Sequence, residues 1–452
     1  MRLAAENRRM AINALPTNVE QQPASRLYVW SVFAILFLLM VIDYVDRQVV
    51  VSMFPHLKEQ WHLSDSQLGA IVSVVSLTVA LGAVPLSLFA DRWSRVKSIF
   101  IMVLVWSSAT IACAFAHSYG DLLGARSVVG LGEAAYGTAG AALLASLFPP
   151  RMRSTILGAF FAATILGSVL GVVLGGFIAD RWGWQAGFGA VGIPGILLAL
   201  VFVLVVRDYK TVALPTQQDS SAKAKKTARV IVNELLEPRS ALITCLGAGF
   251  NLLVVSTLWA WLPSYFNRFY GLTPTQAGAK TALVVLVGGA GMMIASALAD
   301  RLSKRYTNAR LLVPAVSALL TTILLCAAFM GFGPGPAQYA LILAGGFTMT
   351  GSVGPADAVV IDVVHPGLRA TALSVLSLTR NIFGLASGPL LAGAIADAYG
   401  LEHALAVIPL FCLAAMVLFV VGTRFYSNDL RRAAGNAAES TPAANADAAV
   451  AA

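Results

Sequence analysis

Residues 121–153 read DLLGARSVVGLGEAAYGTAGAALLASLFPPRMR, and this segment indicates the class of structure. Its apolar part is long enough to cross a bilayer, because about 20 apolar helical residues span the hydrocarbon core. Two charges lie within it, Arg126 near one end and Glu133 near the middle. An ionisable residue at the centre of a membrane helix costs roughly 2.5–3.5 kcal/mol, which indicates a functional role for Glu133. The glycines and alanines around Glu133 predict close contact with neighbouring helices.

The composition of the whole chain agrees with a membrane protein. Of 452 residues, 58% are hydrophobic and 12% are charged, whereas soluble domains average about 25% charged residues. Backbone groups in lipid must be satisfied within each segment, so we expect the spans to be helices. The net charge of +9 is spread between apolar runs, which argues for the positive-inside rule and against nucleic-acid binding. The four cysteines occur singly in apolar runs, and we expect neither a metal site nor a cofactor.

Twelve apolar segments of membrane length follow one another along the chain. We predict spans at approximately 27–53, 67–90, 97–116, 120–147, 154–179, 186–207, 241–266, 276–300, 310–330, 337–361, 370–396 and 402–424. The predicted organisation is a cytoplasmic tail at 1–26, a six-helix bundle at 27–207, a cytoplasmic linker at 208–239, a second six-helix bundle at 240–424 and a disordered cytoplasmic tail at 425–452. Lys and Arg concentrate in alternate connections, which predicts a multi-pass protein of the inner membrane with both termini in the cytoplasm.

The two predicted bundles repeat in sequence. SLFADRWSR at 87–95 matches SALADRLSK at 296–304, an offset of 209 residues. Pro150, Arg153 and Thr155 recur at an offset of 216, and the IAD at 178–180 recurs at an offset of 217. An even number of spans in each half makes the repeat parallel. Such repeats predict a substrate site between the halves and rocking of one half against the other.

The motif S-x-x-A-D-R-x-S-[RK], present after span 2 and again after span 8, resembles the cytoplasmic-loop signature of the major facilitator superfamily. The family form has glycine where this chain has Ser87 and Ser94. The resemblance covers the whole chain and implies an all-α membrane protein of twelve transmembrane helices in two six-helix repeats, which we expect to be a monomer. It also implies inter-helix latches of the outward-closed state at the cytoplasmic helix ends, formed by Asp91, Arg92 and Arg95 and by Asp300, Arg301 and Lys304. The alternative is that these cations only set the topology.

Residues 27–207 are also similar to the spinster-type transporters of that superfamily. The similarity is carried by DYVDR at 43–47, LSDSQLG at 63–69, WSSAT at 106–110, VGLGEAAY at 129–136 and GWQAGF at 183–188. Spinster-type proteins are linked to lysophospholipids and sphingoid phosphates, and bacterial members to proton coupling, so the resemblance implies a small amphipathic or anionic cargo. Asp43 stands where the family has Asn, and Gln185 where it has Arg. Proton symporters of organic anions such as sugar acids share much of the pattern and remain the alternative.

Glu133 and Asp46 are the candidates for proton coupling. Burial favours the protonated form of a carboxyl group and a nearby arginine favours the ionised form, so a carboxyl group between the two can load and release a proton. In the fold that the resemblance implies, spans 1 and 4 both line the central cavity. We therefore expect Asp46 and Glu133 to act together, with Arg47 or Arg126 as counter-charge. The alternative is a permanent structural ion pair.

Further residues are predicted to contact the cargo: Arg380, Asn381, Asn251 and Tyr136. Arg380 can bind an anionic group bidentately, or it can pair with Asp357 and serve helix packing. Trp259 fits either a cavity wall or an aromatic belt at the membrane interface. On span 5, Gly167, Gly171 and Gly175 lie at i, i+4 and i+8 and predict close helix packing, with a hinge as the alternative.

Other classes of protein fit the sequence less well. The histidines lie near predicted loops and no H-E-x-x-H motif occurs, so we do not expect an enzyme. A transport-inactive sensor or scaffold would not retain intramembrane charges such as Asp46, Glu133 and Arg380. No G-x-x-x-x-G-K-[ST] loop occurs, which favours an ion gradient over ATP as the energy source. The expected partners are therefore a small-molecule substrate, protons and the lipid bilayer.

Overall fold

A computed structural model of the protein describes residues 25–149, 152–208, 237–364 and 369–439. These ranges consist of helices and turns, and no strand occurs within them. Eleven spans in these ranges are long and apolar enough to cross a membrane. Span 10 is built from two shorter helices, Pro336–Met349 and Val353–Asp362. The predicted all-α fold, with twelve transmembrane helices in two six-helix repeats, is confirmed.

The first half contains spans 1 to 6, and two of these spans are interrupted. In order, they are Arg26–Val49 continued by Val50–Met53 and Phe54–Trp61, Asp65–Arg92, Arg95–Ala114, Tyr119–Glu133 continued by Tyr136–Leu147, Arg153–Trp182 and Trp184–Val205. In span 1 the Val50–Met53 segment is a single turn of 3-10 helix, whereas in span 4 the α-helix stops at Glu133.

The second half contains spans 7 to 12. In order, they are Arg239–Tyr270, Pro274–Ser303, Ala309–Cys326 continued by Ala327–Gly331, Pro336–Met349 continued by Val353–Asp362, Arg369–Thr379 continued by Arg380–Ala386 and Ser387–Tyr399, and Leu401–Val407 continued by Ile408–Leu410 and Phe411–Glu439. The Arg380–Ala386 segment of span 11 is a π-helix. Such wide turns often mark functional sites.

Span 1 is longer than the sequence predicted. It continues past residue 53 to Trp61, and Pro55 is tolerated because it occupies the first turn of the continuing helix, where a missing N–H costs nothing. The span ends at His62, whose φ of 51° stops the helix in the left-handed region. Asp46 and Arg47 consequently lie near the middle of the Arg26–Trp61 span.

The last helix also extends beyond its predicted end at residue 424. Its extension runs to Glu439 and is docked on the bundle: the buried Tyr426 donates to Asp362 Oδ2 at 2.8 Å, and Asp429 accepts from Ser240 N at 2.9 Å. The prediction of a disordered tail is therefore wrong for residues 425–439. Residues 440–452, most of the predicted linker and nearly all of the predicted N-terminal tail lie outside the described residues.

The sequence repeat extends to backbone conformation. Capping boxes open span 2 at Ser64 and Gln67 and span 8 at Thr273 and Gln276, again 209 residues apart. Gly183 and Gly400, which are 217 residues apart, join the last two spans of each half with φ of 81° and 89°. The offsets predicted from motifs therefore relate structurally equivalent positions.

The two halves are hydrogen-bonded to each other at the end of the bundle opposite the chain termini, and we call this contact the seal. Asp397 of span 11 accepts from the backbone N–H groups of Asp65 and Ser66 at 2.6 and 2.9 Å. Asp180 of span 5 accepts from Thr275 N at 3.0 Å. Each carboxylate thus caps the N-terminus of a helix in the other half, where free N–H groups and the helix dipole favour an anion.

Four glycines bring the halves into backbone contact at the seal. A Cβ on Gly69 would lie 2.3 Å from Pro389 O, and one on Gly278 would lie 2.6 Å from Val172 O. Gly176 and Gly393 are equally close to the backbone of Pro274 and Asp65. All four contacts follow the 209 and 217 offsets, so the seal is built twice from repeat-related parts. Arg268 adds a bidentate bond to Asp65, at 2.8 and 2.7 Å.

Candidate functional site

A cavity of about 270 Å³ lies between the two halves and is walled by residues of both. Its two walls differ in chemistry. The first half contributes both charged side chains of the lining, Arg47 and Arg126, with polar Tyr44 and Gln48, beside the apolar Val51, Val72, Val75 and Ile165. The second half contributes mainly apolar side chains, among them Leu252, Val255, Val285, Met292, Val353 and Leu385.

The polar wall is positioned by close packing of span 1 on span 5. A Cβ on Gly167, Gly171 or Gly175 would lie 2.5–2.7 Å from a span 1 carbonyl oxygen, those of Val41, Val45 and Val49 respectively. The predicted packing role of this glycine ridge is confirmed. Because the three contacts bracket residues 41–49, they fix the height and rotation of Asp46 and Arg47.

Glu133 ends the first helical segment of span 4, and the helix resumes at Tyr136. Small residues beside it allow close approach, since a Cβ on Gly132 would lie 2.7 Å from Trp106 N and one on Gly130 would lie 2.4 Å from Val75 O. The predicted helix contact around Glu133 is thereby confirmed. Span 10 is interrupted at the repeat-related place, Thr350–Ser352. Both halves therefore carry a break in their fourth helix at the depth of the cavity.

Two ion pairs join span 1 to span 4. Arg47 Nη2 lies 2.7 Å from Glu133 Oε2, and Arg126 Nη1 lies 3.2 Å from Asp46 Oδ2. Arg47 also donates to Asp43 Oδ1 at 3.1 Å, the i, i+4 pair that the sequence allows. Each predicted acid is thus matched with one of the two predicted counter-charges.

The two pairs differ in their access to the cavity. Arg126 and Glu133 are seven residues apart, so they share one face of span 4. The side chains of Asp46, Glu133 and Arg126 are at most 1% exposed, whereas that of Arg47 is 18% exposed. Of these four charged side chains, Arg47 is therefore the most accessible from the cavity.

Both carboxyl groups retain an unused oxygen. Asp46 Oδ1 and Glu133 Oε1 are buried and have no hydrogen-bond partner in the described part of the chain. A buried, unpartnered polar atom is costly. The ion pairs with Arg126 and Arg47 are therefore the contacts that offset the burial of these two carboxyl groups.

Two of the residues predicted to contact cargo are used elsewhere. Tyr136 is fully buried and donates to Leu36 O at 2.7 Å. Asn251 accepts from Ser352 Oγ at 2.5 Å inside the second half. The polar atoms of both side chains form hydrogen bonds between helices, and neither residue lines the cavity. Their prediction as direct substrate contacts is corrected accordingly.

Arg380 begins the π-helical segment of span 11 and is paired within its own half. Its Nη1 donates to Asp357 Oδ1 at 2.6 Å, and its Nη2 donates to the carbonyl of Val353, which lines the cavity. Asn381 donates to Ser377 O at 2.9 Å, one turn back along the helix. Arg380 therefore adjoins the cavity wall, while Asn381 serves its own helix.

The predicted gate residues lie at the terminal end, where the first span begins and the last span ends. Asp300 pairs with Arg310 of span 9 at 3.2 Å, and Arg310 also binds Asp362 of span 10. Arg310 thus links spans 8, 9 and 10 through these two carboxylates, whereas Arg301 is exposed. Arg95 is half-buried, and the side chains of Asp91 and Arg92 lie outside the described residues.

Sequence reasoning missed Tyr44, Gln48 and Ser256 as cavity residues and left Trp259 undecided. Gln48 Oε1 and Trp259 Nε1 are buried without a hydrogen-bond partner among the described residues, and they come from opposite walls. Tyr44, Arg47 and Gln48 are spaced i, i+3 and i+4, so the helical face of Arg47 was a usable signal.

Comparison with known proteins gives consistent relationships. A family model described as Major Facilitator Superfamily matches residues 36–387. The chain is 25% identical to Protein spinster of Drosophila melanogaster over 82% of its length, and it spans 62% of that protein. It is 24% identical to the D-galactonate transporter of Escherichia coli, covering 90% of this chain and 97% of the relative.

A solved structure gives the same fold. It is a bacterial homologue of the human lysosomal transporter Spinster in an inward-facing and unoccupied conformation, with a TM-score of 0.80. Sequence identity is 22%, and the match covers 90% of this chain and 99% of that one.

Proposed function

From the premise that this chain belongs to the Major Facilitator Superfamily and is a multi-pass secondary transporter, we propose that it carries an amphipathic organic anion in exchange or symport with protons. The observation that supports this cargo most directly is the pair of unlike cavity walls. An anionic group fits the wall that holds Arg47, Tyr44 and Gln48, and an apolar group fits the wall around Val255 and Leu385. We further propose a monomer of the inner membrane with both termini cytoplasmic and the seal at the outer face.

Coupling in this proposal rests on competition for Arg47. An incoming anion replaces Glu133 as the partner of the guanidinium, which suits bidentate anion recognition. Glu133 is then a buried carboxylate without a counter-ion, so it binds a proton. Anion binding lowers the charge of the site by one and protonation of Glu133 raises it by one, so the net charge after both steps equals the starting value. Asp46 of span 1 and Arg126 of span 4 form a second acid–cation pair beside the first, and Asp46 is the second proposed proton site.

Arg380 is a proposed second anchor for cargo that carries two polar ends. Its partner Asp357 is 39% exposed, so an anionic group can exchange with that carboxylate.

At the terminal end, the proposed gate is the set of cations and acids around Asp300, Arg301, Asp91, Arg92 and Arg95, with Arg310 added as the cation that holds Asp300.

The alternative cargo is a sugar acid. The unpartnered Gln48 Oε1 and Trp259 Nε1 favour it, because a polyhydroxylated ligand can satisfy an acceptor and a donor on opposite walls. The D-galactonate transporter among its relatives carries a cargo of that class.

The test uses purified protein in proteoliposomes with an imposed pH gradient. A lysophospholipid, a sphingoid phosphate and a hexuronate are offered separately as labelled cargo. We expect gradient-driven uptake of an amphipathic anion, loss of that uptake in Arg47→Gln, and loss of its pH dependence in Glu133→Gln. Lys280→Gln is the matched control, since Lys280 lies over Tyr339 and outside the cavity lining. Uptake of hexuronate alone would favour the alternative, and pH-independent uptake in wild type would exclude proton coupling.

A further inference from the structure

An apolar groove runs along the outer surface of the second half, between spans 8, 9 and 10. It has a volume of about 360 Å³ and is lined by Ile294, Leu298, Leu302, Tyr306, Leu312 and Val316, among others. Most of these side chains are exposed, Val316 at 55% and Ile294 at 56%. The groove is separate from the central cavity, because on span 8 Gly291 lines the groove while Gly289 and Met292 line the cavity.

The length of the groove matches one leaflet of a bilayer. Along span 8 it extends from Gly291 to Leu302. Eleven helical residues rise about 16 Å at 1.5 Å each, and half of a hydrocarbon core of about 30 Å is about 15 Å. A concave apolar surface in this position is complementary to a single acyl chain, since an unfilled groove forfeits dispersion contacts along its whole lining.

Cations lie at the mouth of the groove, at the terminal end of the bundle. Lys304 and Arg305 are exposed and directly precede Tyr306, which lines the groove. The Arg305 guanidinium is 5.5 Å from the Tyr306 ring. Neither cation pairs with an acid within the described ranges, because the nearby Asp300 and Asp362 are both bound to Arg310. The mouth therefore offers uncompensated positive charge at headgroup depth.

We propose that this groove and its mouth bind one phospholipid with an anionic headgroup, taken from the leaflet at the terminal end. One acyl chain lies along Ile294, Leu298 and Val316, and the headgroup phosphate is held by Lys304 and Arg305. This lipid is a bound structural ligand and is independent of the transported cargo.

The bound lipid would brace the interrupted span 10. A Cβ on Gly291 would lie 1.8 Å from Phe347 O, so spans 8 and 10 touch through their backbones beneath the groove. Phe347 and Thr348 line the groove and immediately precede the break at Thr350–Ser352. Thr350 in turn lines the central cavity. A lipid in the groove therefore contacts the part of span 10 that leads, through the break at Thr350–Ser352, to the central cavity.

The test measures lipid retained by the full-length protein. Protein is incubated in mixed micelles with phosphatidylglycerol or with phosphatidylcholine of the same acyl chains, and bound lipid is counted by native mass spectrometry alongside the melting temperature. Wild type is expected to retain one phosphatidylglycerol and to melt higher with it than with phosphatidylcholine. Removing both cations in Lys304→Gln/Arg305→Gln is expected to weaken retention by about fivefold per cation, in line with the contribution of a basic residue near an anionic surface.

Matched variants separate groove binding from general lipid contact. Val316→Trp fills the groove and is expected to abolish specific retention, whereas Leu197→Trp on span 6, at a similarly exposed position (57%), is expected to leave it unchanged. Arg26→Gln removes an exposed cation at the same end of the bundle and serves as the charge control. Equal retention of both lipids by wild type, or unchanged phosphatidylglycerol retention in the double variant and in Val316→Trp, would overturn the proposal.

Discussion

Removing one charge of the Asp46–Arg126 pair is expected to destabilise the first half strongly. Both side chains are at most 1% exposed and lie 3.2 Å apart, so either one alone would be a buried charge without a partner. The two single variants should not be equivalent. In Arg126→Gln the remaining carboxyl group can neutralise itself by binding a proton, whereas in Asp46→Asn the guanidinium stays charged.

The expected size follows from this burial. Breaking a buried ion pair by removing one partner costs about 3–5 kcal/mol, and for a unit of this size each kcal/mol lowers the melting temperature by roughly 2–4 °C, so Asp46→Asn should melt about 10 °C below wild type. Arg126→Gln should lose less. The double variant leaves no isolated charge and should lose less than the sum of the singles, with a coupling of about 1–3 kcal/mol.

The assay is thermal unfolding of the purified protein in one detergent, followed by intrinsic fluorescence and by the monodisperse fraction on gel filtration. Asp300→Asn is the matched control, because the Asp300 side chain is 66% exposed and ion pairs of exposed groups contribute about 0–1 kcal/mol. A melting temperature of Asp46→Asn within about 3 °C of wild type would refute the expected cost of an unpaired buried charge, as would single effects that simply add in the double variant.

Three further outcomes are expected. Gly171→Leu should lose uptake, because even a Cβ would lie 2.7 Å from Val45 O beside the charged cluster, while Gly158→Leu, which has open space around it, should transport normally in the same proteoliposomes. Asp180→Asn/Asp397→Asn should weaken the seal, so that a cysteine introduced by Gln48→Cys is labelled faster by an impermeant thiol reagent added at the seal side. Asp121→Asn should leave the labelling rate unchanged, because Asp121 lies at a helix N-terminus within its own half. Ser64→Ala and Thr273→Ala should each lower the melting temperature by about 2–4 °C through loss of a capping box, and Ser303→Ala should leave it unchanged.

The features that sequence predicted correctly are those set by local or periodic signals. Hydropathy located the spans, because each must be an apolar helix of membrane length. The offsets of 209 and 217 pointed to the two halves, and they recur in the capping boxes and in the paired acids of the seal. The Asp43–Arg47 pair has the i, i+4 spacing that an ion pair within one helix needs. The ridge of Gly167, Gly171 and Gly175 followed from the same periodicity.

The features that sequence could not predict depend on how helices are rotated against one another. Nothing local determines that Arg126 meets Asp46 while Arg47 meets Glu133, since both arginines were available as counter-charges. The position of Tyr136 in the sequence is compatible with a cargo contact, but its hydroxyl donates to Leu36 O, one hundred residues away in the chain. The continuation of span 12 to Glu439 depends on Asp429 bonding Ser240, a contact between distant segments.

The two halves share repeated structural features but do not share the charged residues of the cavity. The seal, the capping boxes and the breaks in spans 4 and 10 occur in both halves at constant offsets. At the 209 offset from Asp46 and Arg47, however, stand Val255 and Ser256, both on the apolar wall, and at the 216 offset from Glu133 stands Met349. In the proposed transport cycle the two halves rock about one contact and need matching seals. Each buried charge carries a desolvation cost, and a second set would add that cost again. The proposed proton exchange therefore belongs to spans 1 and 4 alone, and the second half is left free to hold the apolar part of the cargo.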